Sequence, residues 1–549
     1  MLRRLLLLAA GSLAQAAQSQ PTDPAWQVVL ANSGADLVLP ALLPAPASFE
    51  LRQVSLGDAD GGIGFTRWTG SSQQALWAQR LGTLVPYAEL LATGQLGPGR
   101  TGAESGHAFR TLWWRQDAGA GPHRVFGARA GDPTQPVDAA TFGIWTWNGQ
   151  RNLEIARLAA AGALAPGFDP GIEFTSFGNT ASAGYPNARA LPDGRTLIQA
   201  SVTGGWRALV AHSPGTGNRG CLLEGSSHPA WSPGIEANAF FHAGANGSLI
   251  QFPAAGSGGE VLVAAAWRVT GSGSNRFGVF RICAGPPTAL ALSGVSGAQG
   301  PGLADPGAVI TEFGSVRAGY DGSAFFWARG TGAGGSFIGG FHHAGGLNRP
   351  LWLNGTQGDL GPGYATYSFD QGSAPILQAA GGVALLNTTI RPAAGTTSVR
   401  GLWRIVPGQS PQPLAIVGDT GAYSPAPGRA WRSFAHTQVL DDGTVLILAE
   451  VGNPVAVGVW RLTPGAAPVQ VLAVGDPVRV PTPSGLQMRA VTGIIDTFFD
   501  TPEPGIDGWA SRQGELLVRA NVEGLPGTAQ VVLRGRPARG DRLFGHGFD

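Results

Sequence analysis

Asp132, Asp419 and Asp476 each follow a glycine, and Arg281, Arg404 and Arg461 each follow a tryptophan or phenylalanine. Carboxylates and guanidinium groups recurring in this way could line a channel and face one ligand from all sides. The structural alternative is an aspartate that bonds its own turn and an arginine that lies along a strand face, and this is the preferred reading.

Asp58 and Asp60, in the stretch GDADGG, could offer two carboxylates to calcium. Calcium takes six to eight oxygens and no glutamate follows at loop-end distance, so an aspartate-rich hairpin turn is expected, with no cofactor implied beyond that calcium option. His342 and His343 are adjacent on an expected strand and point to opposite faces, which prevents them from sharing one metal. SFDQG (Ser368 to Gly372) has the core of an Asp-box turn without its closing tryptophan and reads as an ordinary turn. Cys221 and Cys283 are the only cysteines. They form either a disulfide, if the chain is exported, or a pair of buried free thiols.

The remaining chemistry is defined by what is missing. No serine sits in Gly-x-Ser-x-Gly, and there is no His-Glu-x-x-His, paired Cys-x-x-Cys or Gly-Lys-Ser/Thr. Every basic residue is arginine, which removes Schiff-base and lysine general-base chemistry. A formal charge of +1 without a basic run argues against nucleic acid as a partner.

Such residues need elements to position them, and the chain supplies these as a repeat. GVWRLTPGAAPVQVLAVGD from Gly458 restates GLWRIVPGQSPQPLAIVGD from Gly401. Weaker copies start at Ala75, Ile144, Ala208, Gly278, Gly339 and Val531, a period of about 65 residues. Pro-Gly or Pro-Ser turns at Pro98, Pro166, Pro233, Pro301, Pro362, Pro427 and Pro483 keep the same beat. So do glycine turns at Gly194, Gly247, Gly322, Gly443 and Gly514, which supply the positive φ of a hairpin. Each unit therefore reads as four short strands, and helical periodicity is sustained nowhere except in a doubtful run from Leu153 to Leu164. Gly 86 and Pro 41 punctuate the strands, while 16 Trp and 24 Phe provide apolar area for a core.

The expected fold is all-β: a β-propeller of about eight four-stranded blades in one domain, residues 18–537. The eighth unit ends without its last strand, and QVVLANSGAD (Gln27 to Asp36) has the pattern of that missing strand. A strand from one terminus would complete the blade begun by the other and leave no long free edge. Seven blades, with SGHAFRTLWWRQD as an insertion, is the alternative; an open β-solenoid is the third. Residues 1–17 read as a signal peptide, with Arg3 and Arg4 before an apolar run too short to span a bilayer. No later apolar run is long enough to cross a membrane. Residues 538–549 form a C-terminal tail.

NGSLIQF, YDGSAFFWA and AGGVALLN, together with the GLWR…LA..GD…PG lines, resemble a family of exported bacterial tandem-repeat proteins with an Asn-x-x-Gly-x-x-Ala-Phe repeat, described as choice-of-anchor proteins. The ending DRLFGHGFD is similar to short tails on exported proteins of some Gram-negative bacteria. The resemblance implies export and repeat architecture and carries over no catalytic residue. The expectation is thus a monomeric, exported, non-catalytic propeller, extracellular, on the cell surface or periplasmic, that contacts a surface glycan or protein. A propeller glycan hydrolase or lyase is the alternative, and a calcium-dependent module the third.

Overall fold

The computed structural model describes residues 26–31, 50–56, 63–69, 72–80, 83–113, 124–177, 187–191, 193–242, 254–255, 260–319, 322–364, 366–370, 376–392, 395–452, 454–495, 509–511, 514–525 and 531–535. The signal peptide, the C-terminal tail, Asp58, Asp60 and Gly247 lie outside them.

Among the described residues the strands fall into eight sheets that follow one another along the chain. We number them 1 to 8 in chain order, sheet 1 spanning residues 50–89 and sheet 8 residues 477–535. Neighbouring strands within a repeat are antiparallel, and each of the eight repeat phrases forms a third strand: Ser72–Arg80, Thr141–Trp147, Trp206–Ser213, Arg276–Ile282, Gly335–Ala344, Val399–Ile405, Ala456–Leu462 and Val531–Gly535. The unit around SGHAFRTLWWRQD, an insertion in the seven-blade alternative, supplies the strands Ala108–Trp113, Arg124–Gly131, Thr141–Trp147 and Asn152–Arg157, which form a sheet of their own. The run from Leu153 to Leu164 is part of a strand, Asn152–Arg157, followed by the one-turn 3-10 helix Gly162–Leu164. Pro483 departs from the other proline turns: it lies in a hairpin between Pro477–Thr482 and Gly485–Ile494, not in a connection between sheets.

A strand with two apolar faces must be covered on both, and a thin sheet has no interior of its own. The core is accordingly distributed between sheets. Separate buried clusters join sheets 1 and 2, 2 and 3, 3 and 4, 4 and 5, 5 and 6, and 6 and 7. The last cluster holds Leu446 and Val459 of sheet 7, Leu516 and Val532 of sheet 8, and Ala75 and Trp77 of sheet 1, so the packing returns to its start. The amino-terminal strand Trp26–Ala31 completes sheet 8, running antiparallel to Val531–Gly535 with Val28 opposite Leu533. Trp26 donates its indole N–H to the Val471 carbonyl of sheet 7 at 2.8 Å, which fixes that strand to the neighbouring sheet as well.

Each crossing from one sheet to the next uses the same backbone joint. The N–H of Leu91, Ala159, Gly225, Gly294, Gly355, Gly418 or Gly475 donates to the carbonyl of Phe109, Phe174, Phe241, Ile310, Phe369, Trp431 or Val491, respectively, at 2.8 to 3.1 Å. All seven donors have positive φ, from 52° to 96°. The left-handed conformation turns the N–H back toward the next innermost strand, and glycine adopts it without a Cβ penalty. The glycine of each GD pair at 418 and 475 is this joint.

Asn152, Asn218 and Asn348 add a side-chain clamp. Asn152 Nδ2 donates to the carbonyls of Tyr87 at 2.6 Å and Gly97 at 3.0 Å. Asn218 Nδ2 reaches Ile155 and Ala165, both at 2.8 Å, and Asn348 Nδ2 reaches Gly300 at 2.8 Å. Each therefore ties its own fourth strand to the preceding sheet or to the loop leading from it.

Cys221, on the fourth strand of sheet 3, is bonded to Cys283, just past the third strand of sheet 4, with 4.7 Å between Cα atoms. The bond staples two adjacent sheets across a separation of 62 residues, worth about 4 kcal/mol in the chain-entropy model. Replacing both cysteines by alanine is expected to lower the unfolding free energy by an amount approaching that figure, read from equilibrium denaturant unfolding. Gly294→Ala, Gly355→Ala and Gly418→Ala meet no atom within 4 Å of the new Cβ. Each is expected to cost about 1–2 kcal/mol through backbone conformation alone, measured by equilibrium unfolding.

Candidate functional site

The joints define one face of the molecule. Fourth strands end there and innermost strands begin there, so the connections between sheets and the loops between second and third strands emerge on the same side. On five innermost strands the residue after the joint acceptor falls at a register shift: Arg110, Thr175, Thr311, Arg432 and Thr492. A bulge re-aims the side chain that it carries. The acceptors before them, Phe109, Phe174, Ile310, Trp431 and Val491, are buried, so the chain alternates a core residue with one turned outward.

Charges on this face are largely paired. Arg110 donates to the carbonyls of Asp132 at 2.8 Å and Gln135 at 2.6 Å. Arg432 lies 3.5 Å from Glu450, Arg329 lies 3.9 Å from Glu312, and Arg276 is joined to Glu236. Asp370 accepts from the Ser398 hydroxyl.

Of the residues expected to form a ring, the three aspartates do not share one position in their repeats. Asp132 follows a second strand, whereas Asp419 and Asp476 sit in connections between sheets. Asp132 Oδ1 accepts from the Thr134 N–H at 2.8 Å and its hydroxyl at 2.7 Å, bonds that lower its pKa more than its slight desolvation raises it. Asp419 Oδ2 accepts from Tyr423 N–H at 2.9 Å, and Oδ1 from the Tyr364 hydroxyl at 3.1 Å. Burial and that carboxylate push the Tyr364 hydroxyl up to about 12. Asp476 Oδ2 accepts from Ala473 N–H at 2.7 Å.

Arg281 and Arg404 take equivalent places on third strands and reach the hairpin of the following sheet. Arg281 donates to the Gly322 carbonyl, and the Arg404 guanidinium stands at Gly443 while bonding Gln412 at 3.0 Å. Arg461 is at the matching register of sheet 7. His342 packs on Phe325 with ring centroids 4.7 Å apart; His343 Nδ1 lies 2.8 Å from Asn348 Oδ1 and so orients the clamp. His212 repeats this arrangement with Asn218 at 3.0 Å, and burial lowers its pKa. No group of three or more His, Cys, Asp or Glu among the described residues could hold a metal.

One carboxylate pair was not legible from spacing. Glu154, on the fourth strand of sheet 2, receives Arg100 at 2.8 and 2.9 Å and Arg157 at 2.5 and 2.9 Å. Glu104 receives the same Arg157 at 3.0 and 3.2 Å and lies 3.7 Å from Arg100. Partial burial would raise the Glu104 pKa, but the Arg157 hydrogen bond and the nearby charges outweigh it and hold the carboxyl below 4.5. A general acid needs the opposite shift. The cluster fastens the loop after sheet 1 to sheet 2.

Glu154→Gln leaves a buried guanidinium short of its counterion and is expected to cost about 3–5 kcal/mol. Glu104, with its side chain 38% exposed, contributes less. Its stabilisation is present above pH 4.5 and is lost as pH falls through the lowered folded value. Glu104→Gln should therefore flatten the acid limb of a stability–pH profile.

No family model and no curated protein matches the chain. Among solved structures, the β-propeller domain of the Trilobed protease from Pyrococcus furiosus aligns over 72% of this chain and 98% of its own, at 9% identity and a TM-score of 0.32. The polysaccharide lyase Uly1 aligns over 92% and 96%, at 11% identity and a TM-score of 0.30. An α-L-arabinanase from Penicillium chrysogenum aligns over 63% and 91%, at 10% identity and a TM-score of 0.24. None of these likenesses passes an activity to this chain. The cyclic packing, the repeated joint and the sheet shared by both termini establish the architecture on their own: the protein is a β-propeller.

Proposed function

We propose that the protein is an exported, monomeric, non-catalytic propeller that contacts a surface glycan or protein through the face bearing the joints. The carrying observation is the distribution of exposed apolar side chains. Of the nine large hydrophobic residues exposed among the described residues, Leu91, Val137, Trp206, Val455 and Val474 lie in or beside connections on that face. Leu347 and Val469 lie on the opposite face, and Leu486 and Met488 on the additional hairpin of sheet 8. Five of the nine stand on that side of the disk and two on the other, which makes it the more apolar side to offer a partner.

The amino-terminal sequence pattern, the buried disulfide and the resemblance to exported repeat proteins support export. Among the described residues no helix is long and apolar enough to cross a membrane. The hydrolase or lyase alternative needs two carboxylates free to act on a glycosidic bond, and the pair Glu104 and Glu154 is instead neutralised by Arg100 and Arg157.

The mature protein incubated with polysaccharide and ester panels is expected to release neither reducing ends nor unsaturated products. Turnover at enzymatic rates on any of them would overturn the reading.

A further inference from the structure

Trp206 opens the third strand of sheet 3, directly after Gly204 and Gly205, and its side chain is 46% exposed. A Cβ added to Gly225 would stand 3.1 Å from Cε3, Cζ3 and Cη2 of the indole at once, so that glycine lies beneath the face of the six-membered ring. A Cβ on Gly204 would come within 2.8 Å of Nε1 and 2.9 Å of Cδ1. Gly204, Gly205 and Gly225 have φ of 85°, 76° and 72°. The loop is thus cut down to two glycines that let a tryptophan lie flat on backbone, one face seated and the other open to solvent.

Polar groups surround this platform. The indole N–H has no hydrogen-bond partner among the described residues. Thr203, immediately before Gly204, is bonded to Glu173: its hydroxyl accepts from Glu173 N–H at 2.9 Å, and its own N–H donates to the Glu173 carbonyl at 2.9 Å. The backbone of Glu173 is thereby fixed to the strand that leads into the glycine loop. A second aromatic pair lies close along the chain. His228 stacks on Trp231 at 4.5 Å, and the Trp231 carbonyl accepts from Leu223 N–H, two residues before Gly225. Two residues of extended backbone span at most about 7 Å.

We propose that Trp206 is a stacking platform for a glycan, with the Trp231–His228 pair as a neighbouring contact. A pyranose ring has an apolar C–H face and a rim of hydroxyls, which match a flat indole with a free N–H donor at its edge. The indole is already fixed on its glycine seat, so binding does not have to order it. A protein partner would need a complementary area of about 800 Å² per side, and the platform is two separate rings. The inference rests on the non-catalytic binding reading and names its ligand class.

The test is affinity electrophoresis of the mature protein through gels containing laminarin, xylan, mannan or polygalacturonate, followed by titration with oligosaccharides of whichever retards it. At least one of these polysaccharides is expected to retard the wild type. Trp206→Ala should weaken that binding by about tenfold or more, while Trp206→Tyr keeps part of it. The melting temperature of both variants should stay near that of the wild type, because the side chain is substantially exposed. Equal retardation of wild type and Trp206→Ala overturns the proposal, as does retardation by no polysaccharide. Any of those results without turnover leaves the non-catalytic reading standing, and turnover sinks that reading separately.

Discussion

A sheet whose two faces are both apolar must be covered on both, and here every sheet finds its cover only in the next one. The consequence is a chain that repeatedly has to leave the outer edge of one sheet and enter the inner edge of its neighbour without abandoning polar backbone. The joint that achieves this is a single residue in the left-handed region whose N–H points back across the gap. Five of the seven joints use glycine, while Leu91 and Ala159 take the same conformation despite their side chains, at φ of 62° and 52°. For a residue with a Cβ that conformation costs about 1–2 kcal/mol, so the surrounding packing must hold those two in place. The closure between sheets 8 and 1 depends on the amino-terminal strand, which pairs along its length with the last third strand.

The same requirement absorbs most of the side chains that look chemical. Arg281 at the end of a third strand reaches a hairpin carbonyl of the following sheet, asparagines bond the preceding sheet or the loop leading from it, and histidines hold two of those asparagines in orientation. Aspartates of the GD pairs satisfy N–H groups in the turns that the left-handed glycine creates. A carboxylate or guanidinium recurring once per repeat therefore marks a recurring mechanical task, and a ring of ligands is not needed to explain it.

The architecture was legible in the sequence because its signals are local and repeated. The repeat phrase marks third strands, since an aromatic residue in mid-strand fills the space between sheets; Trp145 and Trp403 are fully buried. Asp-Gly hairpins at Gly194, Gly322 and Gly443 were readable from turn chemistry alone, with φ near 80° at each. The amino-terminal strand was readable as the tail of a phrase whose body stood at the other end of the chain. What was not legible depends on distance in sequence. Arg100 and Glu154 are joined across 54 positions, and no period links them. The hairpin of residues 477–494 disturbed the proline beat because it is an addition to one sheet only. The asparagine clamps left a readable trace, an asparagine at the start of the fourth strand in three repeats, but their partners are backbone carbonyls that carry no sequence signature.

This division also limits where specificity can reside. Connections between sheets carry the joints, so their backbone is committed to the fold, and altering them strains the ring. Loops between second and third strands carry no such duty: in sheet 2 that loop spans residues 132–140, whereas in sheet 3 only residues 203–205 separate the strands. Freedom in length and composition on one face, next to fixed joints, allows recognition to change while the core stays constant. Trp206 shows the two roles meeting in one place. Gly225 is left-handed because the crossing from sheet 3 to sheet 4 demands it, and because it lacks a Cβ it leaves a flat floor on which an indole beside a three-residue loop can rest. The surface feature is built from a residue whose first task is to hold two sheets together.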